Sequence, residues 1–276
     1  MLALRGTELR WGERTYVMGI VNVTPDSFSG DGLESAGAAT ERALSQRLAG
    51  ADVLDIGGES TRPGHQRIDE RVEIARAIPV IEGVRRACPD APISIDTYKP
   101  DVARAARLGG ADLINSVWGA PAELLEVAAE LEMPIVAMHN QEGTSYDRPV
   151  IDAVLAYLEN CASQAVARGI APESVILDPG IGFGKTAEQN LEVLAGLRRL
   201  VALGFPTMIG TSRKSTIGKL TGREVTDRVY GTIATTALAI EAGIDIVRVH
   251  DVAPTRDAIA VADAIIRGWR PAEWTE

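Results

Sequence analysis

Pro206-Thr-Met-Ile-Gly-Thr-Ser-Arg-Lys-Ser-Thr216 places a short apolar run, a small-residue turn and the start of a helix in direct succession. The run stops at Gly210, and the turn carries Ser212, Arg213 and Lys214. Two cations beside hydroxyls at a helix start read as an anion site, because free backbone N–H groups and the positive dipole end point the same way. A capped helix with a solvated basic turn leaves the same trace in sequence. The basic turn stands out because the chain carries a net charge of −10 and its only lysines are Lys99, Lys185, Lys214 and Lys219.

The same unit recurs outward in both directions. Apolar runs at Val17–Val21, Val53–Ile56, Ile93–Ile95, Leu113–Ile114, Ile135–Met138, Val175–Leu177, Thr207–Ile209 and Ile246–Val249 are each followed by a polar turn and an amphipathic segment. Leu124, Val127, Ala128 and Leu131 show the three-to-four-residue apolar spacing of such a segment. Short Val/Ile runs buried on both faces and alternating with helices imply a parallel sheet. Repeated through the chain, the units predict an α/β fold, a single (β/α)8 TIM barrel over residues 1–276 with a short N-terminal hairpin at Leu2–Arg10. A doubly wound open sheet is the competing arrangement.

Composition narrows the function classes. Hydrophobic residues at 46% and charged residues at 24% are those of a soluble globular domain. The acidic balance argues against nucleic acid as a partner. No apolar run reaches membrane-span length, and Met-Leu-Ala-Leu-Arg-Gly at the start is no secretion signal, so the chain reads as cytoplasmic. Cys88 and Cys161 lack metal-ligand spacing and read as free thiols of a reducing compartment.

Nearly every apolar run ends in a polar residue: Asn22, Asp96, Asn115, His139, Asp178, Ser212 with Lys214, and Arg248 with His250. In a barrel these converge on the rim at the C-terminal strand ends, where active sites are built. Two long small-residue loops, Thr24–Gly32 and Gly57–Gly64, carry Asp26, Ser29, Glu59, Thr61 and Arg62, which suit a phosphate and its metal ion. Asp178-Pro-Gly-Ile-Gly-Phe-Gly-Lys-Thr186 imitates a P-loop, but the glycine required at its start falls on Pro179. It reads instead as a glycine-rich strand-end loop carrying Asp178, Phe183 and Lys185. His65, His139 and His250 have no spacing for a closed zinc site, whereas Mg²⁺ held by Asn or Asp plus substrate phosphates needs none.

These strings resemble those of the dihydropteroate synthase family. The resemblance runs through Met18-Gly-Ile-Val-Asn-Val-Thr-Pro-Asp-Ser-Phe-Ser29, Asp55-Ile-Gly-Gly-Glu-Ser-Thr-Arg-Pro-Gly64, Ile93-Ser-Ile-Asp-Thr97 and Ile114-Asn115. It continues with the Asp178–Thr186 loop, Gly210-Thr-Ser-Arg-Lys-Ser215 and Val247-Arg-Val-His-Asp251. It implies a transferase of folate biosynthesis that condenses 6-hydroxymethyl-7,8-dihydropterin pyrophosphate with para-aminobenzoate. On that resemblance Asp96, Lys214 and Arg248 are the catalytic residues. Asp96, Asn115, Met138, Asp178, Phe183, Gly210, Lys214 and Arg248 would surround the pterin. Thr61, Arg62, Pro63 and Ser212 would shape the para-aminobenzoate site. Arg62, Arg248 and His250 would meet the pyrophosphate, and Asn22 would help hold Mg²⁺. Sulfonamides are expected to compete, and a homodimer is expected.

The chain departs from the family pattern at Ser29-Gly-Asp-Gly32, at His65-Gln-Arg-Ile-Asp69 and in Asn140–Arg148 after Met138-His139. A methyltetrahydrofolate-dependent methyltransferase shares the pterin-binding barrel but is not expected to carry both Ser-Thr-Arg-Pro-Gly and Ser-Arg-Lys-Ser. A paralogue that binds a pterin without turnover is the other alternative, marked by erosion of the two long loops.

Overall fold

The computed structural model describes residues 1–23, 36–60 and 67–274. The predicted hairpin is present as β1 (Leu2–Leu4) and β2 (Thr7–Leu9), paired antiparallel. Arg5 and Gly6 both take positive φ, the two-residue turn whose twist matches the flanking strands.

Eight parallel strands follow: β3 (Tyr16–Asn22), β4 (Val53–Gly57), β5 (Ile93–Asp96), β6 (Leu113–Ser116), β7 (Ile135–Met138), β8 (Val175–Asp178), β9 (Met208–Ile209) and β10 (Ile246–Val249). They pair in the order β8-β7-β6-β5-β4-β3-β10-β9. A parallel bridge from Leu177 to Thr207, with the Leu177 N–H donating to the Pro206 carbonyl at 2.9 Å, joins β8 to the β9 segment. The sheet is thereby closed, which excludes the doubly wound alternative.

The helices α1 (Ala36–Leu48), α2 (Glu70–Ala87), α3 (Pro100–Gly109), α4 (Ala122–Glu130), α5 (Val150–Ala167), α6 (Ala187–Ala195), α7 (Leu197–Val201), α8 (Ser215–Thr221), α9 (Val229–Ala242) and α10 (Val252–Ile266) surround the strands. Leu54, Ile56, Ile93, Ile95, Ile114 and Val247 face them, one side of the strands' two-residue alternation. The opposite positions Tyr16, Met18, Val53, Leu113, Val136, Ile176, Met208 and Ile246 form a second cluster with Leu2, Leu4 and Leu9 of the hairpin. The hairpin therefore plugs the end of the barrel away from the rim.

The alternation also explains a shift from the sequence reading. Asn22, Asp96 and Asp178 are the last residues of their strands and Asn115 lies inside β6. Each occupies an inward position above the apolar plug, so the apolar run ends before the strand does. Among the described residues no helix is long and apolar enough to cross a membrane.

Candidate active site

The inward layer at the C-terminal strand ends is polar. Asp55, Asp96, Asn115 and Asp178, from β4, β5, β6 and β8, are at most 3% exposed. Arg248, at an inward position of β10, reaches across them. Its Nε donates to Asp55 Oδ2 at 2.6 Å and its Nη2 to Asp96 Oδ2 at 2.7 Å. The Asn115 amide donates to the same Asp55 oxygen at 3.0 Å. Asp55 escaped the sequence reading, which quoted it inside a motif and gave it no role. Its signal was a lone carboxylate in an otherwise apolar strand.

One guanidinium thus serves two buried carboxylates. Burial pushes the Asp96 carboxyl up to about 8, Arg248 opposes this and Asp55 adds to it. The second Asp96 oxygen, Oδ1, has no hydrogen-bond partner, and neither have Asp55 Oδ1 and Asn115 Oδ1. Buried acceptors are normally satisfied, so these three are open to further donors.

Asp178 lies opposite, its Oδ1 accepting from the Gly180 N–H at 2.7 Å. Burial raises its pKa to about 6 while Gly180, Lys214 and Arg248 pull it down. Lys214 is half-buried with Nζ 4.0 Å from the centre of the Phe183 ring. Burial and Arg248 lower its pKa to about 8 against Asp178 and Asp96. Gly210 adjoins Arg248: a Cβ there would meet nothing nearer than Arg248 Cβ at 3.9 Å. Met138, 4% exposed, ends β7 in register with Asp178. The structure therefore brings together Asp96, Asn115, Met138, Asp178, Phe183, Gly210, Lys214 and Arg248.

Other expectations need correcting. Arg213 is no free cation, because Nε and Nη2 bind both Asp251 oxygens at 2.9 and 2.5 Å. The helix begins at Ser215, so Ser212 and Arg213 belong to the turn before it. The Ser212 hydroxyl accepts from the His250 N–H at 3.1 Å and lies 2.9 Å from its Nδ1. His250 is half-buried, and burial with Arg213 and Arg248 lowers its pKa to about 3, so the ring is neutral and supplies a hydrogen bond in place of charge. Glu59 is held by Lys99, which also donates to Glu73 Oε2 at 2.7 Å, and by the Tyr98 hydroxyl at 3.1 Å. This places it as an anchor of its loop, away from a metal role.

His139 leaves the converging rim group: it sits against the Tyr146 and Tyr157 rings, with Lys185 Nζ 2.9 Å from Nδ1. Lys185 also turns inward, its pKa lowered by burial to about 7 with Asp178 opposing. Asp26, Ser29, Thr61, Arg62, Pro63 and His65 lie outside the described residues.

Asn22 is half-buried at the end of β3, whose neighbour β10 leads to His250. Among the described residues no group of three His, Cys, Asp or Glu side chains is arranged to hold a metal. One amide oxygen without a carboxylate cage fits an ion held chiefly by phosphate oxygens and water, the habit of Mg²⁺.

A family model described as pterin binding enzyme matches residues 18–250, the span that holds this barrel and its charged rim. The chain is 44% identical over 264 residues to the dihydropteroate synthase of Clostridium beijerinckii, covering 94% of this chain and 97% of that one. The solved dihydropteroate synthase from Clostridium difficile in the presence of pteroic acid is 46% identical with a TM-score of 0.89, covering 93% and 98%. A Mycobacterium tuberculosis relative named inactive dihydropteroate synthase 2 is 42% identical over 274 residues, covering 94% and 85%. The chain belongs to the dihydropteroate synthase family.

Proposed function

We propose that the rim joins 6-hydroxymethyl-7,8-dihydropterin pyrophosphate to para-aminobenzoate by dissociative substitution at the pterin methylene carbon. The carbon–oxygen bond to pyrophosphate breaks, the aryl amine nitrogen forms the new bond to that carbon, and the amine gives up a proton. The observation that carries this reading is the ring of unpartnered buried acceptors around Arg248. A flat heterocycle with adjacent ring N–H and amino donors matches those acceptors and Asp178. Lys214 donates to the ring's acceptor edge, and Phe183 and Met138 pack beside it. Arg248 stacks on the ring face, for which its planar guanidinium is suited.

Asp96 explains the dissociative route. Loss of pyrophosphate creates positive charge on the pterin, and the buried Asp96 carboxylate, paired with Arg248 through Oδ2 alone, stabilises it. The aryl amine is neutral at pH 7, so its attack requires no strong base. Mg²⁺, with Asn22 as a protein ligand, would neutralise the leaving group. Arg248, Arg62 and a hydrogen bond from His250 assist there, and Thr61, Arg62, Pro63 and Ser212 shape the para-aminobenzoate site. A sulfonamide, also an aryl amine opposite an anionic group, is expected to compete for that place. We further infer a cytoplasmic homodimer; exposed Tyr230, Leu238, Val261 and Ile265 on α9 and α10 supply apolar surface for assembly.

The relative named inactive lies at nearly the same identity as one named dihydropteroate synthase without that qualifier, so identity alone does not carry turnover. Rapid quenching of enzyme with Mg²⁺ and pterin pyrophosphate tests the route. Pyrophosphate appearing before amine is added is the expected result. Pyrophosphate that never precedes amine attack would replace the route with an associative one, and binding without turnover under any condition would replace the synthase reading.

A further inference from the structure

The loop between β8 and α6 carries Phe183 and follows Asp178, yet it is built of residues with little conformational preference. Gly180, Gly182 and Gly184 all take positive φ, and a chain this rich in glycine loses much entropy when fixed. Something must hold it. Asn190 does so from the helix side, accepting from the Gly182 N–H at 2.8 Å and donating to Thr216 Oγ1 at 3.1 Å.

From within, the work falls to Lys185, which is 8% exposed. Nζ lies 3.0 Å from the Gly180 carbonyl, 3.0 Å from the Phe183 carbonyl and 2.9 Å from His139 Nδ1. When Lys185 carries its proton it has three donors and no acceptor, so these three acceptors use all of its protons, with His139 Nδ1 as one of them. A second clamp comes from the segment that departs from the family pattern: the Tyr146 hydroxyl donates to the Gly184 carbonyl at 2.8 Å while its ring stacks near His139.

We propose that Lys185 is a positioning residue for the pterin site, an internal ammonium that ties the Gly180 and Phe183 carbonyls to His139 and so holds Phe183 and Asp178 in ligand-binding geometry. Asp178 depends on it through Gly180: the N–H that orients the carboxylate and the carbonyl that Lys185 grips belong to one residue. Phe183 depends on it directly, and Lys214 rests on the Phe183 ring. The proposal rests on the pterin-binding reading above.

The test is calorimetric titration of pterin pyrophosphate, with near-ultraviolet circular dichroism as a folding control, in wild type, Lys185→Met, Lys185→Ala and Tyr146→Phe. Lys185→Met is expected to keep the native spectrum and weaken pterin binding by about tenfold or more, the scale of lost hydrogen bonds to a charged group. In Lys185→Ala, n-propylammonium replaces the removed atoms and is expected to restore affinity. Tyr146→Phe is expected to weaken binding about threefold with the spectrum unchanged. Wild-type affinity in both Lys185→Met and Tyr146→Phe would overturn the proposal. Loss of binding together with loss of the native spectrum, unrescued by n-propylammonium, would also overturn it by making Lys185 a folding residue. Failure of wild type itself to bind the pterin would instead strike the functional reading.

Discussion

At the scale of single residues, charge alone did not reveal role. Arg213 and Lys214 are adjacent, yet Asp251 takes Arg213 into a bidentate pair and Lys214 faces the acid cluster. A local reading could not separate them, because the deciding partner lies 38 residues away. Asp96, Asn115, Asp178 and Arg248 were legible because each interrupts or ends an apolar run; Asp55 had the same signal and was passed over. The site's titrations give a prediction. Asp178 must be ionised to accept two pterin donors, and its pKa is raised to about 6, so affinity rises as pH climbs through that value. Lys214 must be protonated to donate, and its pKa is lowered to about 8, so affinity falls as pH passes it. Pterin affinity measured by calorimetry from pH 5 to pH 9 is expected to rise through about 6 as Asp178 ionises, while near 8 the ionisation of Asp96 opposes the loss of the Lys214 proton. A flat profile between pH 5 and pH 7 would remove Asp178 from the contact.

At the scale of elements, the strands were legible as Val/Ile runs and their ends were not. A run ends where polarity begins, but the polar residue here is the inward-facing last position of the strand, as at Asp96 and Asp178. The turn after β9 misled in the other direction, since α8 starts at Ser215 after Arg213 in a positive-φ conformation. Two glycines separate architecture from binding. A Cβ at Gly180 would lie 1.9 Å from the His139 carbonyl at a φ of +68°, so Gly180→Ala is expected to cost at least about 2 kcal/mol in denaturant unfolding. Gly210 has no positive φ and only distant neighbours, so Gly210→Ala is expected to leave the unfolding midpoint unchanged while weakening pterin binding beside Arg248. Equal destabilisation of the two variants would contradict this division.

At the scale of the molecule, the barrel was legible as a count of repeated units, and its closure was not. Closure rests on the short β9 and the single bridge from Leu177 to Thr207, which no apolar pattern announces. The hairpin was foreseen as a hairpin, but its place beneath the barrel depends on contacts with residues as distant as Ile246. Leu9 is fully buried there. Leu9→Ala is expected to cost about 2–5 kcal/mol by opening a cavity under the strands. Denaturant unfolding reads that loss, and pterin affinity is expected to persist because plug and rim are separate layers.

The central claim is that the charged rim is a working synthase site, and pyrophosphate release tests it most directly. Release from pterin pyrophosphate with Mg²⁺ would be followed with and without para-aminobenzoate, in wild type and Lys214→Ala. Sustained, amine-dependent release that falls by about a hundredfold or more in the mutant is the predicted result. No release from folded wild-type protein that still binds the pterin, or wild-type rates in Lys214→Ala, would contradict it.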